Sequence, residues 1–160
     1  MNQVSEFVFV RAKTTDQFVA ARNLFVEYAE GLTIDLCFQN FEKELDEIPV
    51  QYNEPAGGLI LIRHKHGYMG CAGIRKLEDT IAELKRMYIQ PRYRGSGLGR
   101  ILLGRAVDLA RELGYSKIRL DTLRTMDAAV NLYRKSGFTG IDPYYFNPSP
   151  EVLYFEKEIQ

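Results

Sequence analysis

The 160-residue sequence has no tryptophan, only two cysteines and only two histidines. Two cysteines make no disulfide framework, and Cys37 and Cys71 do not stand at a metal-ligand spacing. Both have apolar neighbours, which points to buried thiols. His64 and His66 lie two apart at a strand end, and two ligands without a third define no metal site, so no metal is expected. Charge of one sign is also missing. The 21 Lys and Arg balance 21 Asp and Glu, which excludes an overall field for nucleic acid or membrane and makes any anion site local. Apolar runs fall well short of a membrane span, and Met1 to Ser5 lacks a basic-then-apolar leader pattern. The expectation is a cytoplasmic protein.

What is present suits an ordinary globular chain: 46% hydrophobic and 26% charged residues, with a length that one domain over 1–160 accounts for. Ser5 to Ala12 reads as a strand, and Thr14 to Asp16 can cap a helix carrying Phe18, Val19, Phe25 and Val26 at helical spacing. Gly31 ends it. A second helix is expected over Phe38 to Ile48, stopped by Pro49. Gly58–Arg63, Tyr68–Arg75 and Thr80–Ile89 read as an antiparallel meander. Gly97 to Leu113 is the clearest helix, followed by a strand at Lys117–Leu123 and a helix at Met126–Lys135. Closing strands follow at Phe138 and at Val152 to Phe155, around a proline-rich loop. The pattern predicts one α+β domain, a mixed, mostly antiparallel sheet of about seven strands flanked by about four helices. The last strand, Val152 to Phe155, reads as exposed and could support a homodimer.

The most informative segment runs from Met87 to Arg100. A strand end passes through a proline turn into Arg94-Gly95-Ser96-Gly97-Leu98-Gly99 and directly into the long helix. Glycines allow close approach of a ligand. The first N–H groups of a helix lack internal partners, and the helix dipole adds positive potential there, so the turn suits a pyrophosphate. Arg92, Arg94 and Arg100 could add charge to it. A Walker A loop is absent. The Rossmann spacing fails because Arg100 stands where its third glycine belongs, and Asp121 at a ribose-ligand distance counts as coincidence.

Arg94, Gly97 and Gly99 fill the three fixed positions of the Gln/Arg-x-x-Gly-x-Gly/Ala coenzyme A signature of the GNAT superfamily, which the chain resembles. Ala129-Val130-Asn131-Leu132-Tyr133-Arg134-Lys135-Ser136-Gly137-Phe138 is similar to that family's later Ala-x-x-Leu-Tyr-x-x-x-Gly-Phe pattern. The order of elements agrees over nearly the whole chain. One position departs: Met126 stands where many members carry a coenzyme-contacting Asn, and Asn131 is a possible substitute.

The resemblance implies an acetyl-CoA-dependent N-acetyltransferase, with direct attack by a primary amine in a ternary complex. The alternative it leaves open is a non-catalytic acyl-CoA-binding or sensing module. Coenzyme contacts are implied for Met87, Tyr88, Ile89, Arg94, Gly95, Ser96, Gly97, Leu98, Gly99, Arg100 and Asn131, with the Ile89 N–H on the oxyanion. Glu83 has the offset of the family's catalytic Glu. Strand alternation would put it on one side with Lys85, Met87 and Ile89, opposite Leu84, Arg86 and Tyr88. It reads as general base, as a partner of Lys85 or Arg86, or as a solvated carboxylate. Tyr133 reads as the acid for the departing thiolate or as packing. The acceptor is a small-molecule or peptide amine. Tyr52 and the Asp142–Pro148 loop either overhang its cleft or, for the loop, cover a sheet edge.

Overall fold

The structure, a computed structural model, describes residues 6–36 and 40–160, so Cys37 and the expected helix start at Phe38 lie outside the described residues. Strand β1 (Phe7–Arg11) leads into helix α1 (Thr15–Glu30). The Thr14 hydroxyl accepts the Gln17 N–H at 3.2 Å while the Gln17 side chain accepts the Thr14 N–H at 3.0 Å, a closed capping box. Two short helices follow, α2 (Phe41–Asp46) and α3 (Ile48–Gln51). Pro49 does not end a helix, as expected from the sequence. It sits in the first turn of α3, where its missing N–H leaves no bond unmade.

Strands β2 (Gly58–His64), β3 (Gly67–Glu78) and β4 (Ile81–Ile89) form the expected antiparallel meander. A 3-10 turn at Pro91–Tyr93 precedes α4 (Leu98–Glu112), β5 (Lys117–Leu123), α5 (Asp127–Lys135), β6 (Thr139–Ile141) and β7 (Val152–Glu158). The seven strands lie in the order β1-β2-β3-β4-β5-β7-β6, and only β4 and β5 pair in parallel. This is the mixed, mostly antiparallel sheet read from the sequence, with five α-helices among the described residues rather than four. One correction concerns the last strand. β7 lies between β5 and β6, so Tyr154 to Glu156 are paired on both sides and the three-residue β6 is the edge.

Apolar side chains cover both faces of the sheet. Ile62, Ala72, Leu84 and Ile118 pack under Leu102, Leu103 and Ala106 of α4. Leu59, Leu61 and Cys71 pack under Phe18, Leu24 and Phe25 of α1. Among the described residues no helix is long and apolar enough to cross a membrane.

Candidate functional site

The site begins where β4 and β5 part. They pair in register only from Ile81 with Lys117 to Glu83 with Arg119. Beyond Glu83 the β5-facing edge of β4 is open, while β5 continues along β7. Three residues later β4 carries a bulge. Cys71 faces Tyr88 and Gly73 faces Lys85, so Arg86 and Met87 together oppose Ala72, and Arg86 takes φ +57°.

The bulge resets the alternation. Lys85 and Arg86 both turn toward the α1 side, whereas Met87 and Ile89 pack with the core under α4 and α5. The side expected to hold Glu83, Lys85, Met87 and Ile89 together is therefore divided, because one extra residue inverts a two-residue period. The Gln90 N–H bonds the Met69 carbonyl at 2.9 Å, so the neighbouring Ile89 N–H and carbonyl point the other way, into the opening. Arg94 donates its Nε to that carbonyl at 2.8 Å, which ties the glycine turn to the strand end.

Gly95 and Gly97 both take φ +84°, the region that favours glycine, and an added Cβ at either would meet nothing within 4 Å. Gly97 is the N-cap of α4, so the first N–H groups of a 15-residue helix open at this turn. Between the turn, β4 and α5 lies a cavity of about 370 Å³. Met87, Tyr88, Ile89, Arg94, Gly95, Leu98 and Gly99 line it, as do Met126, Leu132 and Tyr133 of the α5 region and Tyr28 of α1. The other four expected coenzyme residues do not line it. The Ser96 hydroxyl donates to the Tyr93 carbonyl, Gly97 forms the cap, and Arg100 and Asn131 are exposed. Met126 itself reaches the wall that Asn131 does not.

Tyr133 is buried at the inner end, with ring contacts to Phe138 at 5.8 Å and Phe155 at 6.3 Å that fix its plane. Its hydroxyl lies 3.9 Å from Met87 Sδ. Burial pushes its pKa well above the ordinary phenol value, with the charges of Tyr28 and Asp121 acting the same way, so it remains a proton donor at neutral pH.

The α1 face of β4 is built from charge. The carboxylate of Glu44 receives Arg86 Nε at 3.0 Å and a second guanidinium nitrogen at 2.7 Å, and the Tyr52 hydroxyl at 2.9 Å. Burial opposes its ionisation, but Arg86 outweighs that and holds the carboxyl below its usual range. Tyr52 is thus a core residue and not part of an acceptor cleft, and a Cβ on Gly73 would stand 2.6 Å from its ring.

Glu83 is buried. Its Oε1 receives Arg75 at 2.9 Å and its Oε2 the Tyr144 hydroxyl at 2.6 Å. It borders a groove with Gln51 and Arg75, separate from the cavity that ends at Tyr133. The structure does not bring the expected base and the expected acid together.

Sequence reasoning passed over Asp121, whose carboxylate receives Lys85 Nζ at 3.0 Å and the Tyr145 hydroxyl at 2.5 Å. A carboxylate and a lysine at inner positions of neighbouring strands were the signal that could have found it. The 142–148 loop therefore does not merely cover an edge: Tyr144 reaches the buried Glu83 and Tyr145 the partly buried Asp121. His64 stacks on Phe7 at 4.5 Å, and among the described residues no group of three or more His, Cys, Asp or Glu could hold a metal.

The chain belongs to the acetyltransferase (GNAT) family, whose model matches residues 8–138. It is 38% identical over 138 residues to an uncharacterized N-acetyltransferase of Schizosaccharomyces pombe, with 85% of each chain covered. An acetyltransferase structure from Streptococcus agalactiae superposes with TM-score 0.78 at 22% identity, covering 96% of this chain and 98% of that one. A Salmonella typhimurium acetyltransferase, whose structure holds acetyl-CoA, superposes with TM-score 0.71 at 16% identity, covering 96% and 94%. At these identities the two structures speak for the fold alone.

Proposed function

We propose that the chain is an acetyl-CoA-dependent N-acetyltransferase acting on a primary amine by direct transfer. The observation that carries the reading is the single cavity that joins the glycine turn and α4 N-terminus, the outward main chain of Ile89 and the buried Tyr133 hydroxyl. The related Salmonella fold with acetyl-CoA supports the choice of acyl donor.

In this reading the Arg94–Gly99 turn and the first N–H groups of α4 hold the pyrophosphate, and Gly99 leaves room for the pantetheine beside Leu132. The amine nitrogen attacks the acetyl carbon. The Ile89 N–H stabilises the oxygen that becomes negative, and Tyr133 donates a proton to sulfur as the C–S bond breaks. Glu83 serves as the anchor of the 142–148 loop through Tyr144, with Arg75 holding it in place.

The test is thiol release from acetyl-CoA across amine classes. An amine-dependent signal is expected, with thermal protection by coenzyme A and none by NAD or ATP. Protection by coenzyme A without release for any amine would favour an acyl-CoA-binding module.

A further inference from the structure

The cavity that ends at Tyr133 adjoins a smaller pocket of about 30 Å³, and the two share Tyr28, Met87, Met126, Ala129 and Tyr133 in their walls. Lys85, Arg86, Asp121 and Thr122 form its polar lining. One water needs roughly 10–15 Å³ of such space, so the pocket takes a group of the size of an amino nitrogen and not a ring or branched carbon.

The charges around it are balanced. From β4, Lys85 pairs with Asp121 of β5, and Arg86 is chelated by Glu44 of α2. Tyr145 of the loop donates to the second Asp121 oxygen, with Tyr154 of β7 packed against its ring at 5.4 Å. Tyr28 of α1 and Tyr133 of α5 complete the wall, and burial raises the pKa of both. Burial works against ionisation of Asp121, but Lys85 and Tyr145 outweigh it and hold the carboxyl below its usual range. Each of its oxygens already accepts a hydrogen bond, one from Lys85 and one from Tyr145, which leaves it an acceptor held in place and a weak base. Glu83, the other carboxylate of this region, has one oxygen on Arg75 and one on Tyr144 and borders a different groove.

An ammonium group entering this pocket would meet no unbalanced negative charge, and burying such a charge without a counter-ion is disfavoured. We infer that the acceptor enters as the neutral primary amine, that Asp121 binds one of its N–H groups, and that no side chain of this protein removes the amine's first proton. The inference rests on the transferase reading. The first proton goes to solvent before binding. Attack then forms the C–N bond and the C–S bond breaks. Tyr133 gives its proton to sulfur and is restored by the second proton that nitrogen loses. The substrate class follows: a weakly basic, unhindered amine such as a peptide α-amine, in preference to a lysine-type amine. With pKa values of about 7.7–8.0 and about 10.4, their neutral fractions at neutral pH differ by a few hundredfold.

The experiment is the pH dependence of kcat/KM in thiol release. Glycinamide and n-butylamine are the first pair, replaced by two amines of unlike basicity from the acceptor screen if that returns others. The expected log profile rises with unit slope and levels at each amine's own solution pKa, so the break moves with the amine. A break at one fixed pH for both amines, lost in Glu83→Gln or Asp121→Asn, would overturn the inference in favour of a protein base. Tyr145→Phe should raise the amine KM about tenfold through the loosened Asp121, leaving the acetyl-CoA KM and the position of the break unmoved. Asp121→Asn should do the same more strongly, and Tyr145→Phe covers the case in which an unpaired Lys85 stops that variant folding. Equal KM values to the parent in both variants would remove Asp121 from the amine site. Absence of thiol release with every amine sinks the transferase reading instead, so the two failures are distinct.

Discussion

On the α4 side of β4, Met87 and Ile89 present thioether, hydrocarbon and outward main chain to a cavity whose other walls include glycines, a helix start, apolar side chains and tyrosines. On the α1 side, the same strand presents Glu83, Lys85 and Arg86, each buried and each held by a partner from elsewhere in the chain. The first region does its work with backbone, whose direction is set by strand and helix geometry. The second works with side-chain charge, which is tolerated only because Arg75, Asp121 and Glu44 stand opposite. A site that must hold a large anionic ligand and then release it is well served by the former. A pocket that must stay dry and fixed around a small amine is served by the latter.

The largest effect expected from breaking this contrast is at Tyr133, whose buried hydroxyl lies beside Met87 in the cavity wall. Tyr133→Phe keeps the ring contacts with Phe138 and Phe155 and removes only the hydroxyl. Its kcat should fall by about 10²–10⁴ with the acetyl-CoA KM little changed, as for loss of a general acid. A kcat within threefold of the parent, measured at saturating amine, would return Tyr133 to packing alone.

Next in size is Arg86→Met, which leaves Glu44 buried without its chelating partner. The cost should be about 3–5 kcal/mol, read as urea midpoint at pH 7. The pH dependence supplies the sign. In the parent the folded-state carboxyl of Glu44 is held low, so its contribution is present above the unfolded carboxylate range and is lost as pH falls through the folded value. In the variant the uncompensated charge is the problem, so its deficit against the parent should shrink on acidification. A deficit that is the same at pH 4 and pH 7 would mean that packing, and not charge, is what Arg86 supplies.

The two regions also differ in how far the sequence reveals them. The glycine turn is legible because its parts are consecutive: Arg94 to Gly99 is one string, and the stripe of α4 that follows fixes where the helix starts. The succession of strands along the chain follows from period and turn chemistry, and so does the meander, but the place of β7 between β5 and β6 does not. The charged side is not legible in that way. Glu44 lies 42 residues from Arg86 and Tyr144 lies 61 from Glu83, so no local pattern pairs them. The bulge at Arg86 was equally hidden, since a residue at φ +57° leaves no mark in a strand-like sequence, yet it decides which side chains share a face. That is why alternation joined Glu83 to Ile89 when the folded strand separates them. Pro49 misled for a related reason, because a proline that ends one helix and one that starts the next look the same without the neighbouring turn.

A smaller effect should come from Gly97→Ala. A side chain at φ +84° costs about 1–2 kcal/mol, so the melting temperature should drop by several degrees. Coenzyme A affinity, measured by calorimetry, should fall with it, because the strained residue is the cap from which the α4 N–H groups project. Unchanged affinity alongside a lowered melting temperature would separate the turn from the ligand.

The smallest effect is expected at Glu83, which the family resemblance offered as a general base. In Glu83→Gln the amide oxygen can still accept from the Tyr144 hydroxyl, and Arg75 retains the Gln51 side-chain Oε1 at 2.8 Å and Glu44 at 3.9 Å. What is lost is one charge-assisted bond to an arginine that keeps these other partners, so the net cost should stay below about 1 kcal/mol. Stability should therefore fall slightly, and kcat/KM should stay within about tenfold of the parent with its pH break in the same place. A loss of a thousandfold, with the rising limb of the profile gone, would mean that Glu83 exchanges Tyr144 for the substrate amine during turnover. The charged side of β4 would then be doing the proton chemistry proposed above for solvent.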